Sequence, residues 1–173
     1  MRPSAGEYAD HFDGYISLVG EPDLLAVLNA QASIVHDALS GLSDGRAAHR
    51  YAPGKWSVRE VLGHVVDGER VFGFRALAIA RGEQYSLASF DENVYAAAAA
   101  HDGVPIDELA EEFATLRRSH VLMLKHLDDR GWTRLGIVNN APTSVRAIAY
   151  IMAGHVRHHA RILTDRYGVA VRA

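Results

Sequence analysis

Near its C-terminus the chain reads GHVRHHARIL, residues 154–163. His155 and His159 are four residues apart, so on a helix they project from the same face, one turn apart. At about 100° per residue, both lie within roughly 20° of the centre of the helix's apolar stripe, whereas His158 lies about 80° away from it. Two imidazoles therefore stand where a core helix would carry leucine. The apolar stripe itself is formed by Ile148, Ile151, Met152, Ile162 and Leu163.

Two histidines at this spacing are able to bind one transition metal ion, because their ring nitrogens converge on a single point. The motif alone leaves two other interpretations open, a pair of hydrogen-bonded core histidines and an exposed basic patch. The glutamate that follows the first histidine in the helical motif of metalloproteases is replaced here by Val156. A third ligand elsewhere in the chain is needed to decide.

The composition favours one globular domain, residues 1–173, that is large enough to bury a core. Apolar residues make up 49% and charged residues 23% of the chain, as is usual for globular proteins. Because the sequence has no cysteine, disulfides, thiolate ligands and cysteine nucleophiles are excluded. Any bound metal must be held by histidine, carboxylate or water.

The charge distribution gives no reason to expect nucleic acid or a membrane as a partner. The net charge is -3, and no basic run indicates binding to an anionic surface. The first ten residues are polar and lack the apolar segment of a signal peptide, and no run approaches 18 apolar residues. We therefore expect a cytoplasmic protein.

Four amphipathic segments predict four long helices, each with apolar residues at helical spacing after a helix-start signal. No segment alternates apolar and polar residues over the length of a strand, so none is predicted. In chain order, the predicted helices run from Glu21, Pro22 and Asp23 to Gly41, from the capping box of Ser57 and Glu60 to Ala80, from Pro105 to about Asp129, and from Thr143 or Ser144 to about Tyr167.

The spacing of these segments predicts an all-α protein, a four-helix bundle with a long connection between helices 2 and 3. Residues 1–20 lack periodicity and are expected to pack loosely or turn. The connection from Gly82 to Pro105 includes one short helical segment, and its length indicates that helices 2 and 3 are not joined as a simple hairpin. Long connections often cover a site.

Two histidines compete for the place of a third ligand. His64 lies at the edge of the apolar stripe of helix 2, where Gly68 one turn later leaves room beside it. His120 lies on the apolar face of helix 3, where a core histidine bonded to a neighbour is also expected. Helical periodicity alone permits either one.

Residues 51–64, YAPGKWSVREVLGH, together with Asp67, Glu69 and Arg70, resemble the second helix of the DinB/YfiT-like superfamily of proposed metal-dependent enzymes. Residues 144–159, SVRAIAYIMAGHVRHH, resemble the last helix of that superfamily. The order and separation of the two segments also agree, so the resemblance covers nearly the whole chain. It implies a DinB-like four-helix bundle and a triad of metal ligands at His64, His155 and His159, which leaves His120 outside.

The carboxylates of helix 2 are candidates for orienting a ligand or acting as a base, because ligating imidazoles usually donate their second N–H to such a group. Glu69 lies on the inward stripe and is the predicted catalytic residue, although an ion pair with Arg75 or Arg157 would explain it equally well. Asp67 is a second candidate, and Glu60 is already explained by capping. His158 is expected either next to the metal ligands, without binding the metal itself, or on the surface.

The resemblance implies a nickel or zinc enzyme that transfers a low-molecular-weight thiol, such as bacillithiol, mycothiol or glutathione, to a small molecule. The same triad would also serve a metal-dependent hydrolase, with Glu69 or Asp67 as the base. A third alternative is a stress or binding protein that the metal stabilises and that has no turnover. We also expect a homodimer, for which Phe74 and Leu77 supply apolar residues outside the inward stripes.

Overall fold

The computed structural model describes residues 2–173, and Met1, the first residue of the polar start of the chain, lies outside the described residues. The long helices number four in this range, and shorter helices and one hairpin connect them. In chain order the elements are α1 Asp13–Ile16, α2 Leu24–Leu39, α3 Asp44–Ala47, α4 Val58–Ala80, α5 Glu92–Ala99, α6 Ile106–Lys125, α7 Asp129–Thr133, β1 Leu135–Val138, β2 Ala141–Ser144 and α8 Val145–Tyr167, with 3₁₀ turns at Asp10–Phe12 and His101–Gly103.

The four long helices form the predicted bundle, in which α2 and α4 each pack against both α6 and α8. One apolar cluster joins the first halves of α4 and α6 to the second halves of α2 and α8, and another joins the opposite halves. Helices α4 and α6 are therefore parallel neighbours. A parallel pair requires the chain to return along the bundle, which accounts for the long connection predicted between them.

Side-chain caps fix the start of α4, which carries His64, and of α8, which carries His155 and His159. Ser57 and Glu60 form the predicted capping box of α4. Ser144 accepts a hydrogen bond from the backbone N–H of Ala147 at the start of α8, and Gly168 ends that helix with a positive φ of 64°. The predicted bounds of these two helices are confirmed.

A short β-hairpin replaces the loop that the sequence predicts before the last helix. β1 and β2 pair antiparallel, and Asn139 and Asn140 between them have φ of 47° and 61°, as a type I′ turn requires. The prediction of no strands was wrong because the two four-residue strands do not alternate apolar and polar residues: residues 135–138 are LGIV, with no polar side chain, and residues 141–144 are APTS, which include a proline. Leu87 of the long connection bonds to the backbone of Ile137 and Asn139, which fixes that connection to the hairpin.

Residues 2–20 also pack more tightly than expected. Ile16 and Val19 are each only 1% exposed, and α1 lies against α8. Arg2 fastens the segment by donating hydrogen bonds to the carbonyls of Ile16 and Val19. A helix of four residues is too short to show apolar periodicity, so its packing could not be seen in the sequence.

A layer of buried polar side chains crosses the middle of the bundle, between the two apolar clusters. On α4 the clusters stop at Val66 and resume at Phe72, and on α8 they stop at Ala153 and resume at Val156. Buried polar groups require partners, so this layer is where a specific structure or a site is expected. Its members include Gln31, His64, Glu69, Arg117 and His155.

Two surface properties bear on partners. Phe74 is 54% and Leu77 is 40% exposed, as the expected dimer requires, and the homodimer itself stays a prediction. Within residues 2–173, no helix is both long enough and apolar enough to cross a membrane.

Candidate metal centre

The bundle brings together one histidine of α4 and two of α8. One ligating atom from each of His64, His155 and His159 lies within 4.8 Å of the others. The Nε2 atoms of His64 and His155 are 3.0 Å apart. Nitrogens that share one tetrahedral ion, at bond lengths of about 2.0–2.1 Å, lie roughly 3.3 Å apart, so this spacing suits a common ion. These three side chains are called the histidine cluster below.

Burial keeps the imidazoles of the histidine cluster neutral. Burial lowers the pKa of His64 below its ordinary value, and it lowers those of His155 and His159 well below, with the neighbouring imidazoles acting in the same direction. Neutral imidazole is the form that binds a metal. The Nδ1 atom of His159 is buried and has no hydrogen-bond partner within residues 2–173. A bound ion would satisfy this set of donors.

Three aromatic rings pack against the cluster. Trp56 lies against His64 with ring centroids 5.0 Å apart, and Tyr15 and Phe72 each meet the His155 ring at 5.5 Å. Gly68 makes room for the cluster, but not where the sequence suggests. A Cβ at Gly68 would lie 2.9 Å from Cε1 of His155, so the space beside this glycine belongs to the α8 histidine rather than to His64.

The cluster forms one wall of a cavity of about 380 Å³, called the histidine cavity below. The long connection contributes Ser89, Phe90 and Glu92 to its lining, in agreement with the expectation that this connection covers a site. Its other walls come from the first helical turns, α4 and the hairpin. His158 also lines the cavity, and its ring meets that of Tyr15 edge to face at 5.3 Å, so it is a neighbour of the cluster rather than a surface residue.

Glu69, the predicted catalytic residue, is not among the side chains that line the histidine cavity. It forms an ion pair with Arg117 of α6, with Nε–Oε1 and Nη2–Oε2 distances of 2.8 and 2.7 Å. Burial alone would raise the pKa of this carboxyl, but Arg117 and a hydrogen bond from His120 bring it below the ordinary value. The carboxylate is thus fully engaged away from the cavity, and the structure supports the ion-pair alternative.

The partner of Glu69 is neither of the arginines suggested by the sequence. Arg75 donates to the carbonyl of Ala88, and Arg157 pairs with Glu21. Nδ1 of His120 lies 2.9 Å from Oε1 of Glu69. His120 is therefore a histidine bonded to a neighbour in the bundle, the alternative to a metal ligand that the sequence left open.

Arg117 connects this ion pair to the turn of α8 before His155. Its Nη1 donates to Gln31 at 2.6 Å, and its Nη2 donates to the carbonyl of Met152 at 3.2 Å. Gln31 in turn donates to the carbonyl of Ala153. The network therefore holds the α8 backbone in place behind the histidine cluster.

The other carboxylates of α4 also serve packing. Asp67 faces His101 of the connection, with 3.2 Å between Oδ2 and Nε2, and does not line the histidine cavity. Glu60 completes the capping box and pairs with Arg50 at 2.5 Å. Neither is placed to act on a molecule in the cavity.

Tyr15, Arg75 and Glu92 also line the cavity, and sequence reasoning gave them no role in the site. Glu92 follows the helix cap Asp91 in the long connection, and that acidic helix start was its only sequence signal. Arg75 is 11 residues after His64, so on a helix it lies about 20° from it, on the same face three turns later. That spacing would have found it.

Comparison with known proteins agrees with this fold. A sequence model of the DinB superfamily matches residues 28–163. The solved structure of YfiT from Bacillus subtilis matches 98% of this chain and 95% of its own, with a TM-score of 0.74 and 17% sequence identity. YfiT is described as a probable metal-dependent hydrolase with an unusual four-helix bundle topology. The search of curated proteins found no match. The fold expected from the resemblance is confirmed.

Proposed function

Because the chain belongs to the DinB superfamily, we propose that its histidine cluster binds a divalent transition metal and that the protein hydrolyses a small molecule in the histidine cavity. The observation that carries this proposal is the cluster itself, three buried neutral imidazoles that converge in the wall of a cavity. The description of YfiT as a probable metal-dependent hydrolase supports hydrolysis over the other chemistries.

The donor set suits a catalytic ion. Three protein nitrogens leave at least one coordination position free for water or substrate, whereas structural sites are closed by four protein ligands. A bound divalent ion would polarise a carbonyl or phosphoryl oxygen and lower the pKa of water. Imidazole suits nickel and zinc alike, and these two remain the expected metals.

The chain's own residues supply the rest of the chemistry. Glu92 lines the histidine cavity, and among the carboxylates it is the one that most opposes the lowering of the His64 pKa by burial. It is therefore placed to accept a proton from water near the cluster, the role first predicted for Glu69. The rings of Tyr15, Trp56 and Phe72 surround the cluster and exclude bulk water.

Thiol transfer would use the same cluster and cavity. Since the chain has no cysteine, the thiol would have to enter as bacillithiol, mycothiol or glutathione. The requirement for an added thiol therefore separates the two reactions.

The experiment is elemental analysis of protein purified without a metal-affinity tag, followed by assays with ester, amide and phosphoester substrates. We expect about one metal ion per chain in the wild type, and its loss in His64→Ala and in the His155→Ala/His159→Ala double variant. His120→Gln is the matched control, because it changes a partly buried histidine outside the cluster and still offers Glu69 an N–H donor.

Metal-dependent hydrolysis without thiol, weakened in Glu92→Gln at unchanged metal content, would support the proposal. A metal content that is unaffected by His64→Ala would contradict the metal site. Turnover only with an added thiol would replace hydrolysis by thiol transfer. Bound metal that raises stability without any turnover would favour the binding protein.

A further inference from the structure

Arg75 of α4 is a buried cation without a carboxylate partner. The residue is 6% exposed, and the arginine ion pairs within residues 2–173 all involve other guanidinium groups. A buried charge is costly unless a counter-charge offsets the loss of water. Arg75 nevertheless lines the histidine cavity, where a molecule carrying the missing negative charge has access to it.

The guanidinium is held in a fixed position. Its Nη2 donates to the carbonyl of Ala88 at 2.7 Å, and its Cζ lies 5.9 and 5.7 Å from the ring centroids of Phe72 and Phe90. This is the one hydrogen bond that the group makes within residues 2–173, out of five possible N–H donors. An arginine that is already ordered loses little conformational entropy when it binds an anion.

Phe72 is the link between Arg75 and the histidine cluster. The Phe72 ring lies 5.5 Å from the ring of His155 and 5.9 Å from the Arg75 guanidinium. One aromatic ring thus separates the cation from the cluster, and a small molecule in the cavity is able to reach both.

Glu92 is the one carboxylate among the described residues that line the histidine cavity. It makes no hydrogen bond to Arg75, whose guanidinium bonds to the carbonyl of Ala88 instead. The cavity wall therefore carries an arginine and a carboxylate that are not paired with each other.

We infer that Arg75 binds a carboxylate or phosphate group of the substrate, and that this anion positions the rest of the molecule against the histidine cluster. Guanidinium groups bind both kinds of anion through paired hydrogen bonds. The orientation of a substrate rests on the proposed function, but anion binding at Arg75 does not require the metal. The substrate class is a small anionic molecule, with its charged group about one ring's length from the reacting bond.

The test is calorimetry on the full chain with its metal removed, so that an anion cannot bind through the ion. The probes are phenylacetate, phenyl phosphate and phenylacetamide, the last being the neutral counterpart of phenylacetate. The variant Arg75→Gln removes the charge and keeps an N–H donor for Ala88. Arg81→Gln is the control, because it removes the same charge from an exposed position at the end of α4. Circular dichroism checks that each variant is folded.

We expect at least one of the anions to bind the wild type and Arg81→Gln equally, and to bind Arg75→Gln about 10- to 100-fold more weakly. Phenylacetamide should bind the wild type about as weakly as the anions bind Arg75→Gln. The stronger of the two anions identifies the group as a carboxylate or a phosphate. Because both anionic probes carry an aromatic ring, binding in the histidine cavity should also shift the imidazole proton resonances of the cluster.

Equal binding of the anions to wild type and Arg75→Gln would overturn the inference, and so would the absence of binding or unshifted imidazole resonances. These outcomes are independent of the metal. A protein that binds anions through Arg75 but never retains metal would refute the proposed function alone.

Discussion

Replacing Glu69 by methionine distinguishes a structural carboxylate from a catalytic one. Glu69 is 2% exposed and Arg117 has no exposed surface, so the change removes the counter-charge of a fully buried guanidinium. Arg117 would keep only two neutral acceptors, the side chain of Gln31 and the carbonyl of Met152. Both acceptors already bond to Arg117 in the wild type, so no group within the network replaces the negative charge of Glu69.

Removal of one partner of a buried ion pair costs about 3–5 kcal/mol, because the other charge stays buried without compensation. We expect Glu69→Met to lower the free energy of unfolding by this amount, a large part of the roughly 5–15 kcal/mol of a typical domain. The double variant Glu69→Met/Arg117→Met removes both charges. It should therefore lose at least about 2 kcal/mol less than the sum of its two single variants.

Urea unfolding in the presence of a chelator measures these differences without the contribution of metal binding. Arg118→Met is the matched control, because this neighbouring arginine is exposed and its pair with Glu111 should contribute at most about 1 kcal/mol. A loss below about 1 kcal/mol in Glu69→Met, or strict additivity in the double variant, would refute the structural role. Unchanged stability together with lost turnover would return Glu69 to catalysis.

Two further variants test the packing of the cluster and the attachment of the first residues. Gly68→Ala should weaken metal binding about tenfold, because the new Cβ would lie 2.9 Å from Cε1 of His155. An alanine that met no obstacle in the helix would instead leave the metal affinity unchanged and raise the free energy of unfolding by roughly 1 kcal/mol, which would contradict this prediction. Hydrogen bonds from Arg146 lower the pKa of Glu7 from 4.5 to about 2, so this pair stabilises the fold above about pH 4.5 and ceases to do so as the pH falls through 2. Glu7→Gln should accordingly lose about 1–2 kcal/mol at pH 7 in urea unfolding, after allowance for solvent screening, and the difference from wild type should shrink toward pH 2; a constant difference would exclude the charge as its cause.

The sequence predicted the four long helices because each has a strong apolar period and clear capping residues. It placed His155 and His159 on an inward face by spacing alone, whereas His64 followed from the family resemblance and not from periodicity. Arg117 carried a signal that was overlooked, since it lies four residues after Phe113 on the apolar stripe of α6. The hairpin could not be predicted, because its strands are too short and are held by contacts with the distant connection.

The misplacement of Glu69 has a geometric cause. In a four-helix bundle, α4 has two inward faces, one toward α8 and one toward α6, and an apolar stripe does not separate them. Gly68 and Arg75 lie about 40° and 20° from His64 around the helix, whereas Glu69 lies about 140° away. The first face opens on the histidine cavity and the second pairs with Arg117. The site therefore depends on both faces, since the ion pair on one fixes the α8 backbone that presents His155 to the other.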